Sequence, residues 1–182
     1  MVWHSAEPDD NGSLADNAAF SSTSTWSTGY AVGNGSNITL ASAAADYNEV
    51  NSVGNDYTIY TWTSVPGYSL FGRYQGNGNT DGPFIDTGFR PALVLIKKVD
   101  GTGDWEMIDS TRSPQNTAEE QLNPNLTSAE TAVTGGGVDF VSNGFKIKTT
   151  DSYYNTNNDW YIFAAWAEHP FGGCDVAPVN AR

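Results

Sequence analysis

Apolar and polar positions along this chain change over at short intervals, and nowhere with a sustained helical period. Pro91-Ala-Leu-Val-Leu-Ile96 is an unbroken apolar run, bounded by Gly88 and by Asp100-Gly101. A run that short between turn residues predicts a central strand buried on both faces. Trp105 to Ile108 is placed to pair with it across the loop from Asp100 to Asp104. Val138 to Val141 and Phe145 to Lys148 flank Ser142-Asn143-Gly144, which reads as a hairpin. Tyr68 to Tyr74 opens this region and Trp160 to Ala167 closes it, with turns at Asn77-Gly78 and Asp81-Gly82-Pro83. Nearer the start, Tyr30 to Val32 and Ile38 to Leu40 bracket Asn34-Gly35, a second hairpin signal, and Tyr57 to Thr63 predicts a further strand. The best helical candidate, Thr117 to Leu122, is too short and poorly capped to matter.

The strand pattern also repeats. Tyr57-Thr-Ile-Tyr-Thr-Trp62-Thr-Ser-Val-Pro66 aligns without gaps on Tyr161-Ile-Phe-Ala-Ala-Trp166-Ala-Glu-His-Pro170. Gly29-Tyr30-Ala-Val32 echoes Gly144-Phe145-Lys-Ile147, and Leu14-Ala-Asp-Asn17 echoes Leu122-Asn-Pro-Asn125. Three echoes in the same order predict one β-rich unit of roughly 100 residues used in tandem. Residues 1–67 then read as the C-terminal half of a first β module, 68–172 as a complete module and 173–182 as a tail. The expected fold is all-β: an antiparallel β-sandwich or jelly-roll-like module, with about seven or eight strands, preceded by a partial second copy. A half module has an open sheet edge that the second module or a partner subunit must cover.

Composition narrows the function. The 182 residues carry 21 acidic and 8 basic side chains, a formal charge of −13. That surface repels phosphate backbones and anionic lipids, which argues against nucleic-acid and membrane-surface binding, and it invites Ca²⁺ or Mg²⁺. No apolar run approaches the ~20 residues needed to span a bilayer, and no stretch pairs a basic start with an apolar core as a secretory signal does. A single cysteine, Cys174, excludes an internal disulfide and a cysteine-rich zinc site.

Catalytic signatures are sparse. His4 and His169 have no partner at metal-ligand spacing, no Gly-x-Ser-x-Gly surrounds a serine, and Cys174 has no basic neighbour to activate it. Gly76-Asn-Gly-Asn-Thr-Asp-Gly82 lacks the following Lys-Ser/Thr of a phosphate loop and reads as a turn cluster. Asp104, Glu106, Asp109, Glu119 and Glu120 are the nearest cluster to what a paired-carboxylate hydrolase would need. With so many acids such clusters are inevitable, so a non-enzymatic role is expected. Asp9-Asp10-Asn11 and Asn155-Thr-Asn157-Asn158-Asp159 offer dense oxygen donors, making Asp9, Asp10 and Asp159 the candidate Ca²⁺ ligands, though neither stretch has EF-hand spacing. Trp62, Trp105, Phe163 and Trp166 lie in strand positions and are expected in the core. Trp26, Tyr153, Tyr154 and Trp160 lie in or beside loops rich in Asn, Ser and Thr. Aromatic faces there can stack on sugar rings while Asp159 and its neighbours bond hydroxyls, so these five residues are the candidate ligand site.

Several longer strings resemble a family. They are Val65-Pro-Gly-Tyr68-Ser-Leu-Phe71-Gly-Arg-Tyr74-Gln-Gly-Asn77-Gly, Asp81-Gly-Pro-Phe84, Thr87-Gly-Phe89-Arg-Pro91-Ala-Leu-Val-Leu-Ile-Lys97, Gly103-Asp-Trp105, Asp139-Phe-Val-Ser-Asn143-Gly-Phe145-Lys and Ala165-Trp-Ala-Glu-His-Pro170-Phe-Gly. Together they are similar to an uncharacterised β-rich repeat at the C-terminus of tail-fibre and other virion structural proteins of tailed bacteriophages, marine ones especially. The resemblance implies a virion location, homo-oligomerisation and contact with the bacterial surface, and it supplies no catalytic or ligand residues. The expected function is a receptor-binding module that recognises a host cell-surface glycan or protein. A purely structural virion component, in capsid decoration or tail assembly, is the alternative, and a polysaccharide depolymerase the weaker one.

Overall fold

The computed structural model describes residues 2–4, 7–12, 14–15, 17–20, 30–33, 37–40, 54 and 56–170, the first four strands by their backbone. Those strands form two separate antiparallel pairs. One joins β1 (Val2–His4) to β2 (Glu7–Gly12), and the other joins β3 (Tyr30–Gly33) to β4 (Asn37–Leu40). The second pair is the hairpin expected around Asn34-Gly35, with Gly33 opposite Asn37.

The remaining strands are β5 (Ser69–Gln75), β6 (Phe84–Asp86), β7 (Pro91–Lys98), β8 (Trp105–Asp109), β9 (Glu120–Leu122), β10 (Thr131–Ala132), β11 (Val138–Val141), β12 (Gly144–Ile147) and β13 (Trp160–Ala167). They build an antiparallel β-sandwich. One sheet runs β10-β9-β8-β7-β13-β5 and the other runs β11-β12-β6. The apolar run Pro91–Ile96 is central as its composition requires, paired with β8 on one side and β13 on the other. A single helical turn, α1 (Ser152–Asn155), precedes β13.

Strand alternation sorts the side chains of the large sheet into two layers. Tyr74, Val94, Ile96, Ile108, Tyr161, Phe163 and Ala165 face the small sheet, where Ile85, Val138, Phe140, Phe145 and Ile147 meet them. Tyr74 stacks on Tyr161 at 5.1 Å between centroids, and Phe145 meets Phe163 edge-on at 5.3 Å. Each fully buried aliphatic or aromatic side chain contributes about 1.5–3 kcal/mol. On the outer face Trp105, Val99 and Ile162 form a second cluster, covered by Phe20.

That cover crosses the boundary drawn at residue 67. Phe20 N donates to Val99 O (3.1 Å), Gly103 N donates to Asn17 O (2.9 Å), and Lys97 Nζ donates to Ala18 O (2.8 Å). Residues 17–20 therefore pack on the β5–β13 sandwich, and Phe20 supplies an apolar surface that Trp105 would otherwise show to water.

Glu120–Leu122, the end of the helical candidate set aside above, forms β9 by pairing with β8. Two expectations are corrected. Tyr57 to Thr63 forms no strand; it runs outside any sheet until the Val65–Ser69 bridge. Trp62 is consequently not a core residue and stands 66% exposed.

Candidate functional site

The loops between β5 and β6, β7 and β8, β9 and β10, and β12 and β13 gather at one end of the sandwich, because β5, β7, β8, β9 and β13 alternate in direction. Asn155, between β12 and β13, ties its own loop to the β5–β6 loop. Its Oδ1 accepts Asn77 N–H at 2.8 Å, while its Nδ2 donates to Asn77 Oδ1 (3.1 Å), Asn79 O (2.7 Å) and Thr149 O (2.9 Å). Gly76 is needed beside it, since a Cβ there would lie 2.2 Å from Thr156 O. Tyr161 adds a brace: its hydroxyl donates to Ser152 O (2.7 Å) and accepts from Thr156 N (2.8 Å). Asp151 caps α1 by accepting Tyr153 N–H at 2.9 Å. This end is rigid backbone, the usual platform for binding side chains.

The four loop aromatics fare differently. Tyr153 is 38% exposed and lies against Gly103, where an added Cβ would come within 3.3 Å of its ring. Asp104 flanks that glycine, its Oδ1 accepting from Asn125 Nδ2 at 2.7 Å. Trp160 is half-buried at the start of β13, and the Arg73 guanidinium covers its ring at 4.3 Å from the centroid. Trp26 lies outside the described residues. Tyr154 cannot offer a stacking face and is removed from the ligand site: it is wholly buried, because the single turn of α1 sends Tyr153 outward and Tyr154 into the core.

The oxygen-rich stretch before β13 does not converge on an ion. Asp159 pairs with Lys98 at 2.8 Å, which gives its charge to an ammonium, and Asn155 has spent its oxygen on Asn77 N–H. Asp9 and Asp10 fall on β2, with side chains outside the description. Among the described residues no three His, Cys, Asp or Glu side chains cluster as a metal site.

The acidic cluster is likewise scattered. Asp109 is paired with Arg112 at 2.5 Å, whereas Glu106 is fully buried. Burial is the largest influence on Glu106 and pushes its pKa from 4.5 up to about 7, with Asp104 and Asp151 adding to the rise while the hydrogen bond from Asn123 opposes it. Burial also raises the Tyr74 and Tyr154 phenols well above 10.0, the Glu106 charge adding to both shifts.

Residues 1–170 match the family described as Domain of unknown function (DUF7483). The chain belongs to that family. Its match spans the join between the two expected modules without a break. No curated protein and no solved structure matches the chain.

Glu106 is the residue whose importance sequence reasoning missed. Its signal was present: in Trp105-Glu106-Met107-Ile108 the two-residue period puts Glu106 on the same face as Ile108, the inner one. Among the described residues no helix is long and apolar enough to cross a membrane.

Proposed function

We propose that this chain is a receptor-binding module of a tailed-bacteriophage tail fibre or related virion appendage. It acts without catalysis and recognises a host cell-surface glycan or protein through the loop-bearing end of its sandwich. The phage setting rests on the resemblance of the Val65–Lys97 and Asp139–Lys146 strings. The observation that carries the binding role is Tyr153, an exposed aromatic face held on loops that Asn155 makes rigid, with Asp104 and Asp151 beside it. An aromatic face stacks on sugar carbons and carboxylates bond hydroxyls, so the set suits a saccharide better than a phosphate or a membrane. Identical subunits or other virion proteins are the expected companions, without nucleic acid, membrane insertion or cofactor; Ca²⁺ is the one ion to test.

One observation favours the structural reading. Ile59, Tyr60, Trp62 and Val65 are 55%, 75%, 66% and 42% exposed, an apolar density that suits contact with another virion subunit.

Fluorescently labelled protein should bind some strains of a bacterial panel and not others, with Tyr153→Ala weakening that binding while the fold persists. Repeating the assay in EDTA tests the ion. A folded protein that binds no strain would leave the structural reading in its place.

A further inference from the structure

Glu106 joins the elements that carry the loop-bearing end, and its hydrogen bonds suit a neutral acid better than a carboxylate. Asn123 Nδ2 donates to Glu106 Oε2 at 2.8 Å, and its orientation is fixed because it also donates to Trp105 O at 3.1 Å. Oε2 lies 3.4 Å from the Tyr154 hydroxyl, which is itself 2.5 Å from Gln121 Oε1. A phenol has one proton to donate, and the nearer amide oxygen takes it. The Tyr154 oxygen then turns a lone pair toward Glu106, a place that suits an O–H and repels an anion. Oε1 is buried with no hydrogen-bond partner, so ionisation would leave a desolvated charge.

The groups that act on this carboxyl give an anion little relief. Asp104 is the residue before its own strand, Asp151 the cap of α1 and Tyr154 within it, Tyr74 comes from β5, and Gln121 and Asn123 from β9 and the residue after it. Lys98 of β7 is committed to Asp159 at 2.8 Å and to Thr156 Oγ1 at 3.2 Å.

We propose that Glu106 is a proton-operated latch on the loop-bearing end. As a neutral acid it seats Tyr154, and α1 with it, against β8; as a carboxylate it breaks that seat and frees the turn carrying Tyr153. Atoms balance simply: one proton passes from Glu106 to solvent. This inference stands without the receptor reading, since any ligand of the Tyr153 end would meet a site loosened by rising pH.

The test uses the whole chain. Side-chain carboxyl resonances of ¹³C-glutamate-labelled protein would be followed from about pH 4 to about pH 9, and one of them should titrate well above the ordinary glutamate value near 4.3. Hydrogen exchange of residues 148–160, corrected for intrinsic rates, should speed up by roughly tenfold to a hundredfold between about pH 5 and about pH 8. Glu106→Gln should abolish that acceleration and also remove the anomalous resonance. Should the variant not fold, the titration of the unmodified chain decides by itself. All glutamate carboxyls titrating at ordinary values, or equal pH dependence of exchange in Glu106→Gln and the parent, would overturn the latch.

Discussion

Tyr161–Pro170 and Tyr57–Pro66 share Tyr, Trp and Pro in register, yet the sandwich uses them in opposite ways. In the later copy Tyr161 is fully buried and stacked on Tyr74, and Trp166 meets Phe71 edge-on at 5.6 Å. In the earlier copy Tyr57 is 39% exposed, and Tyr60 and Trp62 stack on each other at 6.3 Å, outside any strand. The difference lies at the positions between the shared ones. Ile162 and Ala165 face opposite layers of the sandwich, one in each apolar cluster, so β13 is apolar on both faces and fits between β5 and β7. Thr58 and Thr61 stand at the matching places in the earlier copy. A strand central to a two-layer fold needs both faces apolar, and in the earlier copy a threonine interrupts each face. Sequence likeness therefore preserved the turn and the aromatic spacing without preserving the burial.

The sharpest way to break this comparison is a pair of substitutions. Tyr161→Ala should cost about 3–5 kcal/mol in urea unfolding, the range for emptying a buried aromatic site. Tyr57→Ala should cost under about 1 kcal/mol, as exposed positions do. Equal costs would mean that the two copies are packed alike.

Acidity should separate the regions next. The Glu106 carboxyl is raised in the folded chain to about 7 from 4.5, so the native state holds a proton that the unfolded chain has released. The stabilising effect is complete below about pH 4.5 and is lost as pH rises through about 7, a loss of about 3 kcal/mol. Glu106→Gln should flatten the denaturant midpoint across that window, and an unchanged slope would remove Glu106 as its cause. Asn155→Ala should cost about 2–3 kcal/mol by removing the donor to the buried Thr149 carbonyl and releasing the exposed Asn77 and Asn79. It should also raise exchange in the loops near β13 while leaving residues 57–66 untouched.

Much of the sandwich was legible in the chain. β7 showed as an unbroken apolar run, β11 and β12 as apolar segments around Ser142-Asn143-Gly144, and β13 with both its ends, because period-two patterning and turn residues are local properties. The candidate site was legible only in part. Tyr153 and Tyr154 look alike in sequence, and only the setting of one helical turn against β8 sends one to water and the other to the core. Asp159 reads as a free ligand until Lys98, distant in sequence, is brought to it by the β7–β13 pairing.

By itself, then, the sequence determined the all-β class, most strand positions and the acidic surface, since these follow from residue type and short-range spacing. Tertiary structure decided which of two like segments becomes a strand, why Phe20 belongs to the later module, and that Glu106 is enclosed among Tyr154, Gln121 and Asn123. Those outcomes depend on partners far along the chain, and burial raises the cost of a charge only once those partners have closed around it.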